Sequence, residues 1–236
     1  MTAGELERIR LGVLHVTGRL MARAAAGEDI AAETEALLAG RYPLDGEQSP
    51  FPCRRETHSY IEAIYMLREE TALHDDEVAA IVCAVSESTL RAVGEPRAAK
   101  IDPKTAAAAQ ASLPYCVAAA LVLNRIDHAA FATEALREPR IRALLPKISC
   151  VLDPQMPAEE SRVSVERTRG KPVECTVTVP LGGENNEMTA DQIRDRFRDD
   201  MAFAGRGDIA EAVIAAVGRM KGPTDTHELR AFLNPR

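Results

Sequence analysis

The side chains with the clearest chemical potential in this sequence are two arginines and a histidine near position 55. Arg54, Arg55 and His58 come just before a stretch whose apolar residues have helical spacing. Arginine binds carboxylates through paired hydrogen bonds, and the first turn of a helix also favours an anion. The cluster is therefore a candidate site for a carboxylate. The alternative is a solvated helix start, with His58 as a core histidine that donates to a backbone carbonyl.

Other reactive side chains are scattered along the chain. The hydroxyl of Tyr115, in an apolar stretch, could line a cleft or be tethered in the core by one hydrogen bond. Cys53 and Cys116 have no base at a readable spacing, which favours core packing over nucleophilic chemistry. No histidine or cysteine pair has metal-ligand spacing, and residues 182–186 match no nucleotide-binding motif. We therefore expect neither a metal nor a cofactor.

Composition excludes several classes of protein. Apolar residues make up 46% of the chain and charged residues 28%, as in ordinary globular proteins. The net charge of −7 argues against nucleic acid as a partner, because phosphate binding needs a basic surface. No apolar run is long enough for a membrane span, and acidic residues stand where a signal peptide needs basic ones. Five widely spaced cysteines without a signal favour reduced thiols, so we expect a cytoplasmic protein.

Several separated phrases indicate a family. They are Phe51-Pro52-Cys53 with Thr57-His58, Ile61-Glu62-Ala63, Ser112-Leu113-Pro114-Tyr115, the Gly170-Lys171 turn, and Gly183 through Phe197. In this order they resemble the C-terminal half of the MmgE/PrpD family. That family includes 2-methylcitrate dehydratase, cis-aconitate decarboxylase and iminodisuccinate epimerase. The resemblance runs from about residue 50 to the C-terminus.

The resemblance implies a reaction class. Such enzymes abstract a proton α to a carboxylate of a small di- or tricarboxylate, then dehydrate, decarboxylate or isomerise it without a required metal. It implies catalytic roles for His58 and Tyr115, with Arg54 and Arg55 binding the substrate. Two departures from the family pattern argue against catalysis. The family's lysine falls on Ser49, and a tyrosine of the decarboxylase falls near Leu90. A catalytically silent scaffold or regulatory subunit is therefore the alternative.

The resemblance also implies a partner. In the family, a large helical domain supplies most of the acid–base and carboxylate-binding residues, and here only residues 1–40 could belong to it. We therefore expect a split enzyme whose helical half, or a homologous subunit, is a separate chain. The apolar stripes at 6–20 and 209–220 would otherwise stay uncovered, which predicts oligomers or tight association. The isolated chain is expected to be inactive.

The elements that would position these residues follow from periodicity. Helical patterns cover 5–26, 29–38, 54–70, a buried stretch at 103–124, and two short stretches at 127–137 and 139–146. Residues 41–52 are rich in proline and glycine and predict a loop. The apolar run 78–85 fits a short helix or a buried strand, and we favour the strand, partly because the resemblance implies one.

The second half of the chain changes character. Valines alternate with polar residues on both sides of 169–171, which predicts a β-hairpin. Thr189 and Gln192 have capping-box spacing, and helices are expected there, at 208–221 and at 225–233. We predict an α+β fold in which N- and C-terminal helices, belonging to an incomplete helical domain, flank a smaller α+β domain with a hairpin-containing sheet. The expected segments are 1–47, 48–185 and 186–236.

Overall fold

The structure is a computed structural model that describes residues 1–41, 48–183 and 185–233. The chain divides into two compact units, one of residues 1–50 and 188–236 and the other of 51–187. We call them the helical unit and the sheet unit. The central part of the predicted loop, 42–47, lies outside the described residues, as do Glu184 and 234–236. Among the described residues, no helix is long and apolar enough to cross a membrane.

Helices and strands alternate in a mixed α+β order, as predicted. The helices are α1 (Ala3–Ala25), α2 (Ala31–Leu38), α3 (His58–Thr71), α4 (Glu87–Thr89), α5 (Arg97–Lys100), α6 (Ala106–Gln110), α7 (Leu113–Leu123), α8 (Thr133–Leu136), α9 (Pro139–Leu144), α10 (Ala190–Phe203), α11 (Ala210–Arg219) and α12 (His227–Leu233). The strands are β1 (Val78–Val85), β2 (Ile148–Leu152), β3 (Ser161–Arg167) and β4 (Val173–Val177). Short 3₁₀ turns include Arg55–Thr57 and His128–Phe131, and Leu90–Gly94 forms a π-turn.

The helical unit is built around the contact between α1 and α10. The capping box of Thr189 and Gln192 starts α10, as the spacing predicted. Among its buried residues this contact holds an ion pair between Arg196 and Asp200 (2.7 Å). Their side chains are only 7% and 1% exposed. A buried pair of this kind stays favourable only while both charges remain in place.

The apolar stripes of the helical unit cover one another. Val13, Val16 and Leu20 of α1 are buried, as are Val213 and Val217 of α11. Helix α1 packs against both α10 and α11. The expectation that the two stripes would stay uncovered is therefore wrong, because folding brings them onto the same interior. Whether copies of the chain associate stays a prediction.

In the sheet unit, the described strands form one four-stranded mixed sheet in the order β2-β1-β3-β4. Strand β1 runs parallel to β2 and antiparallel to β3, which forms the predicted hairpin with β4. Along β1, every second residue from Ile81 to Val85 points into the core. Helix α3 packs on β3 and β4, α7 packs on β2, and the two helices contact each other. The first turns of α3 and α7 are therefore held by one core.

Two sequence-based expectations for the sheet unit are wrong. The single helix predicted at 103–124 is two helices, α6 and α7, that break at Ala111-Ser112. Proline lacks an N–H and its ring would clash with the preceding turn, so Pro114 has to lie at the start of a helix. The Ser112 side chain caps that start by accepting from Tyr115 N at 3.1 Å. Strand β2 was not predicted. It lies at the edge of the sheet and its Val151 is 50% exposed, so its sequence lacks the alternation of apolar and polar residues that indicates a strand.

Gly18 of α1 gives a test of the packing between α1 and α10. A Cβ atom there would lie 3.0 Å from Asp200 Oδ2 and 3.1 Å from Phe197 Cδ2. We expect Gly18→Ala to lower the free energy of unfolding by about 1–3 kcal/mol, the usual cost of overpacking. Gly4→Ala in the same helix, where nothing lies within 4 Å, should be neutral or stabilise by up to about 1 kcal/mol. Urea denaturation measures both, and a Gly18→Ala protein as stable as the parent would contradict the tight contact.

His15 predicts a loss of stability in mild acid. Burial lowers the pKa of His15 to about 4, with the nearby Arg19 acting in the same direction. An unfolded chain titrates histidine near its ordinary pKa of about 6.5. The unfolded state therefore binds more protons between these values, so the free energy of unfolding should fall by roughly 3 kcal/mol as pH drops from about 6.5 to about 4.

His15→Gln should remove this part of the pH dependence, because glutamine does not titrate. His74→Gln changes an exposed histidine and serves as the control, with an unchanged slope. Urea titrations at several pH values between 7 and 4 give the slopes. A His15→Gln protein that keeps the parent's slope would show that another group causes the acid sensitivity.

Candidate functional site

The start of α3 forms the framework of the candidate site. A 3₁₀ turn at Arg55–Thr57 leads into the helix, and Thr57 Oγ1 donates to Arg54 O at 2.7 Å. Thr57 and His58 are fully buried. The backbone N–H of Arg54 donates to Gln110 O at 2.9 Å, which ties the segment to the end of α6. The helix start is therefore a fixed part of the core.

His58 is held with one ring nitrogen paired and the other unpaired. Its Nε2 lies 3.2 Å from Cys53 O, and its ring meets Phe51 edge-on with a centroid distance of 5.3 Å. A carbonyl oxygen can only accept, so Nε2 carries the proton and Nδ1 is the basic nitrogen. Nδ1 is buried and has no hydrogen-bond partner among the described residues. His58 is thus a core histidine bonded to a carbonyl, but one with a proton-accepting nitrogen still available.

Arg55 and Arg54 point to different surroundings. A Cβ atom at Gly183 would lie 3.1 Å from Arg55 Nη2, so the Arg55 guanidinium lies directly against this glycine. The Arg54 side chain is 57% exposed and its Nη2 lies 3.1 Å from Glu56 Oε1. The two arginines therefore have different neighbours, Gly183 for Arg55 and Glu56 for Arg54.

Glu62 joins this site, although the sequence reasoning assigned it no role. Its Oε1 accepts from Leu181 N at 2.6 Å, which ties α3 to the glycine-rich loop. Burial raises the pKa of the Glu62 carboxyl, and the Leu181 N–H and the charges of His58 and Arg55 offset part of that rise. One feature of the sequence could have identified Glu62 as a site residue. It lies four residues after His58, and this spacing places both side chains on one face of a helix.

The glycine-rich loop after β4 has its own fixed geometry in the residues described. Gly182 has φ +80° and Asn185 has φ +66°, both in the left-handed region. The N–H of Gly182 donates to Asn186 O at 2.7 Å, and Asn186 Nδ2 donates to Val179 O at 2.9 Å. A Cβ at Gly183 would also lie 3.0 Å from Pro180 O, so a side chain there would disturb the loop as well as Arg55.

Tyr115 lies in the core, at the first turn of α7. It is fully buried, and its hydroxyl donates to Ala130 O at 2.7 Å. Burial raises its pKa above the ordinary value of tyrosine. The hydroxyl therefore ties α7 to the turn at His128–Phe131. This is the tethered arrangement, one of the two that the sequence left open.

The two departures from the family pattern have structural roles here. The N–H of Ser49 donates to His15 Nε2 at 3.1 Å within the helical unit. Leu90 begins the π-turn and packs against the core of the sheet unit. Neither side chain can exchange a proton at neutral pH in the way that lysine or tyrosine can. In the ranges that the structure describes, no three histidine, cysteine or carboxylate side chains gather as metal ligands.

Comparison with known proteins identifies the family. The model of the MmgE/PrpD C-terminal domain matches residues 51–218. No curated protein matches the chain significantly. The matched region contains the whole sheet unit and continues through α10 into α11. Because the match covers well over half of the sequence, the chain belongs to the MmgE/PrpD family, of which it carries the C-terminal domain.

Proposed function

We propose that this chain is the C-terminal half, or a small subunit, of a lyase or isomerase that acts on a small di- or tricarboxylate. The reaction would begin with removal of a proton α to a carboxylate, followed by dehydration, decarboxylation or isomerisation. One observation carries the proposal. Arg55, the basic Nδ1 of His58 and the partly buried Glu62 carboxyl meet at the start of α3.

Carboxylate binding is assigned to Arg55. A guanidinium offers two parallel N–H donors to a carboxylate, and such charge-assisted pairs are strong when water is excluded. The loop lies directly against the guanidinium at Gly183, where a Cβ atom would be only 3.1 Å from Arg55 Nη2. The start of a helix adds a favourable field for an anion. These features support one carboxylate subsite at this end of α3.

Proton transfer is assigned to His58. A general base must reach the proton it abstracts, and Nδ1 is the nitrogen of His58 that can accept one. The imidazole is fully buried, so the proposal requires its neighbours to move when substrate binds. Glu62 would support the histidine, because a carboxylate nearby stabilises an imidazolium. Tyr115 is given a positioning role, since its hydroxyl bonds Ala130 O.

We also propose that activity needs a partner. The resemblance to the family implies that a large helical domain supplies most of the remaining acid–base and carboxylate-binding groups. The family's lysine and tyrosine positions hold Ser49 and Leu90 here, so two such groups would have to come from elsewhere. A helical-domain half or a homologous subunit fits this requirement, in a hetero- or homo-oligomer.

A silent scaffold or regulatory subunit is the second candidate. It is favoured by Leu90, which packs against the core near the position where the resemblance places a catalytic tyrosine, and by the buried Tyr115 and His58. In that case the sheet unit would retain the family fold for assembly rather than for chemistry. The two candidates differ in whether His58 exchanges protons with a substrate.

Citrate binding tests the carboxylate subsite. We expect the purified chain to bind citrate weakly, and Arg55→Ala to weaken binding at least about tenfold, since one charge-assisted hydrogen bond contributes about 1.5–3 kcal/mol. Arg54→Ala is the matched control and should change the affinity less than about twofold, because Glu56 already engages that guanidinium. Isothermal titration calorimetry gives the affinities, with acetate as the monocarboxylate control. Equal losses in the two variants would indicate nonspecific attraction instead of a subsite.

Proton abstraction tests the enzyme against the scaffold. The isolated chain should show no turnover of 2-methylcitrate or cis-aconitate. Together with a helical-domain partner, it should catalyse deuterium incorporation α to a carboxylate in D₂O, followed by NMR. His58→Gln should abolish the exchange, whereas His74→Gln should retain it. An assembled complex that turns over equally well with His58→Gln would assign the chain a scaffold role.

A further inference from the structure

Folding brings Cys53 and Cys116 together, although 62 residues separate them along the chain. The Cys53 thiol lies 3.1 Å from Thr57 Oγ1, and the Cys116 thiol interacts with both of these groups. Cys116 is on α7, fully buried, and its thiol lies 3.7 Å from Ala109 O. Cys53 is partly exposed in the turn before α3. The thiol of a partly buried residue at the edge of the core is therefore backed by a second thiol inside it.

The two thiols differ in their electrostatic surroundings. Burial raises the pKa of Cys53, but the side chains of Cys116 and His58 outweigh it and lower the pKa to about 5. Burial and the neighbouring Cys53 raise the pKa of Cys116 well above the ordinary value. A thiolate is the nucleophilic form of cysteine. Cys53 is thus the thiol that loses its proton more readily, and Cys116 is the proton-bearing thiol beside it.

We propose that Cys53 and Cys116 form a dithiol site that reacts with hydroperoxides. The Cys53 thiolate attacks one peroxide oxygen and the O–O bond breaks, which leaves a sulfenic acid and, for hydrogen peroxide, one water after proton uptake. The Cys116 thiol then attacks the Cys53 sulfur, and the sulfenic oxygen leaves as a second water. Two thiols are oxidised to one disulfide while one peroxide is reduced to two waters. The inference does not depend on the proposed lyase or isomerase function.

A second pair of cysteines in the same unit supplies an internal control. Cys83 of β1 and Cys150 of β2 face each other in register. Burial raises the pKa of Cys83 well above its ordinary value and that of Cys150 to about 11. Both thiols stay protonated at neutral pH. Because the thiolate is the reactive form, this pair should react slowly with peroxide although the two residues are neighbours. Comparing the two pairs therefore distinguishes the effect of two thiols lying close together from the effect of one of them being a thiolate.

Mass spectrometry of the oxidised chain tests the proposal. The reduced protein is exposed to a small excess of hydrogen peroxide, remaining thiols are alkylated, and the non-reduced tryptic digest is analysed. Each cysteine lies in a different tryptic peptide, with Cys53 in 42–54 and Cys116 in 105–125. We expect a cross-link between these two peptides, reversed by dithiothreitol. Loss of the Cys53 thiol should be at least about tenfold faster than loss of Cys83 or Cys150.

Variants assign the two steps. In Cys116→Ser, Cys53 should accumulate as a sulfenic acid that dimedone traps, and no cross-link should form. In Cys53→Ser, Cys116 should remain reduced, while Cys175→Ser should leave the cross-link intact. The parent protein alone keeps the proposal falsifiable if a core variant fails to fold. Equal oxidation of all five cysteines, or a cross-link that forms equally in urea-unfolded chain, would overturn it.

Discussion

The buried first turn of α3 is the constraint on which the chemistry of the sheet unit depends. Thr57 and His58 lie in the core because the helix packs at once on α7 and on the β3–β4 hairpin. Leaving His58 Nδ1 buried without a partner among the described residues costs about 1–3 kcal/mol. The apolar residues that follow, such as Ile61 and Ile64, are fully buried and offset that cost. A strongly held helix can thus keep this unsatisfied nitrogen in a fixed place.

The contact between Glu62 and the glycine-rich loop sets the charge balance of the same region. The Glu62 carboxyl is partly buried and accepts a hydrogen bond from Leu181 N. Burial raises the pKa of Glu62, whereas Leu181 N, His58 and Arg55 lower it. A ligand carboxylate at Arg55 would add a second negative charge close by. Glu62 therefore links the glycine-rich loop to the helix start and lies close to both Arg55 and His58.

Much of the fold followed from local patterns. The alternating valines predicted the β3–β4 hairpin, whose turn has Gly170 at φ +99°, and the choice of a strand for 78–85 is confirmed as β1. Helix starts were predictable where a cap or periodic apolar residues mark them, as at Thr189. The break before Pro114 and the edge strand β2 were missed. A uniformly apolar helix and a half-exposed strand lack the periodicity on which such predictions rely.

The sequence by itself determined which groups were available for chemistry: a helix start with two arginines and a histidine, and phrases that resemble one family. Only the tertiary structure decided how they combine. It separated Arg54 from Arg55, added Glu62 and Gly183, and placed Cys116 beside Cys53. The reason is that spacing along the chain specifies neighbours within one helix. The packing of α3 against α7 and the glycine-rich loop specifies which distant side chains meet there, and local patterns carry no record of it.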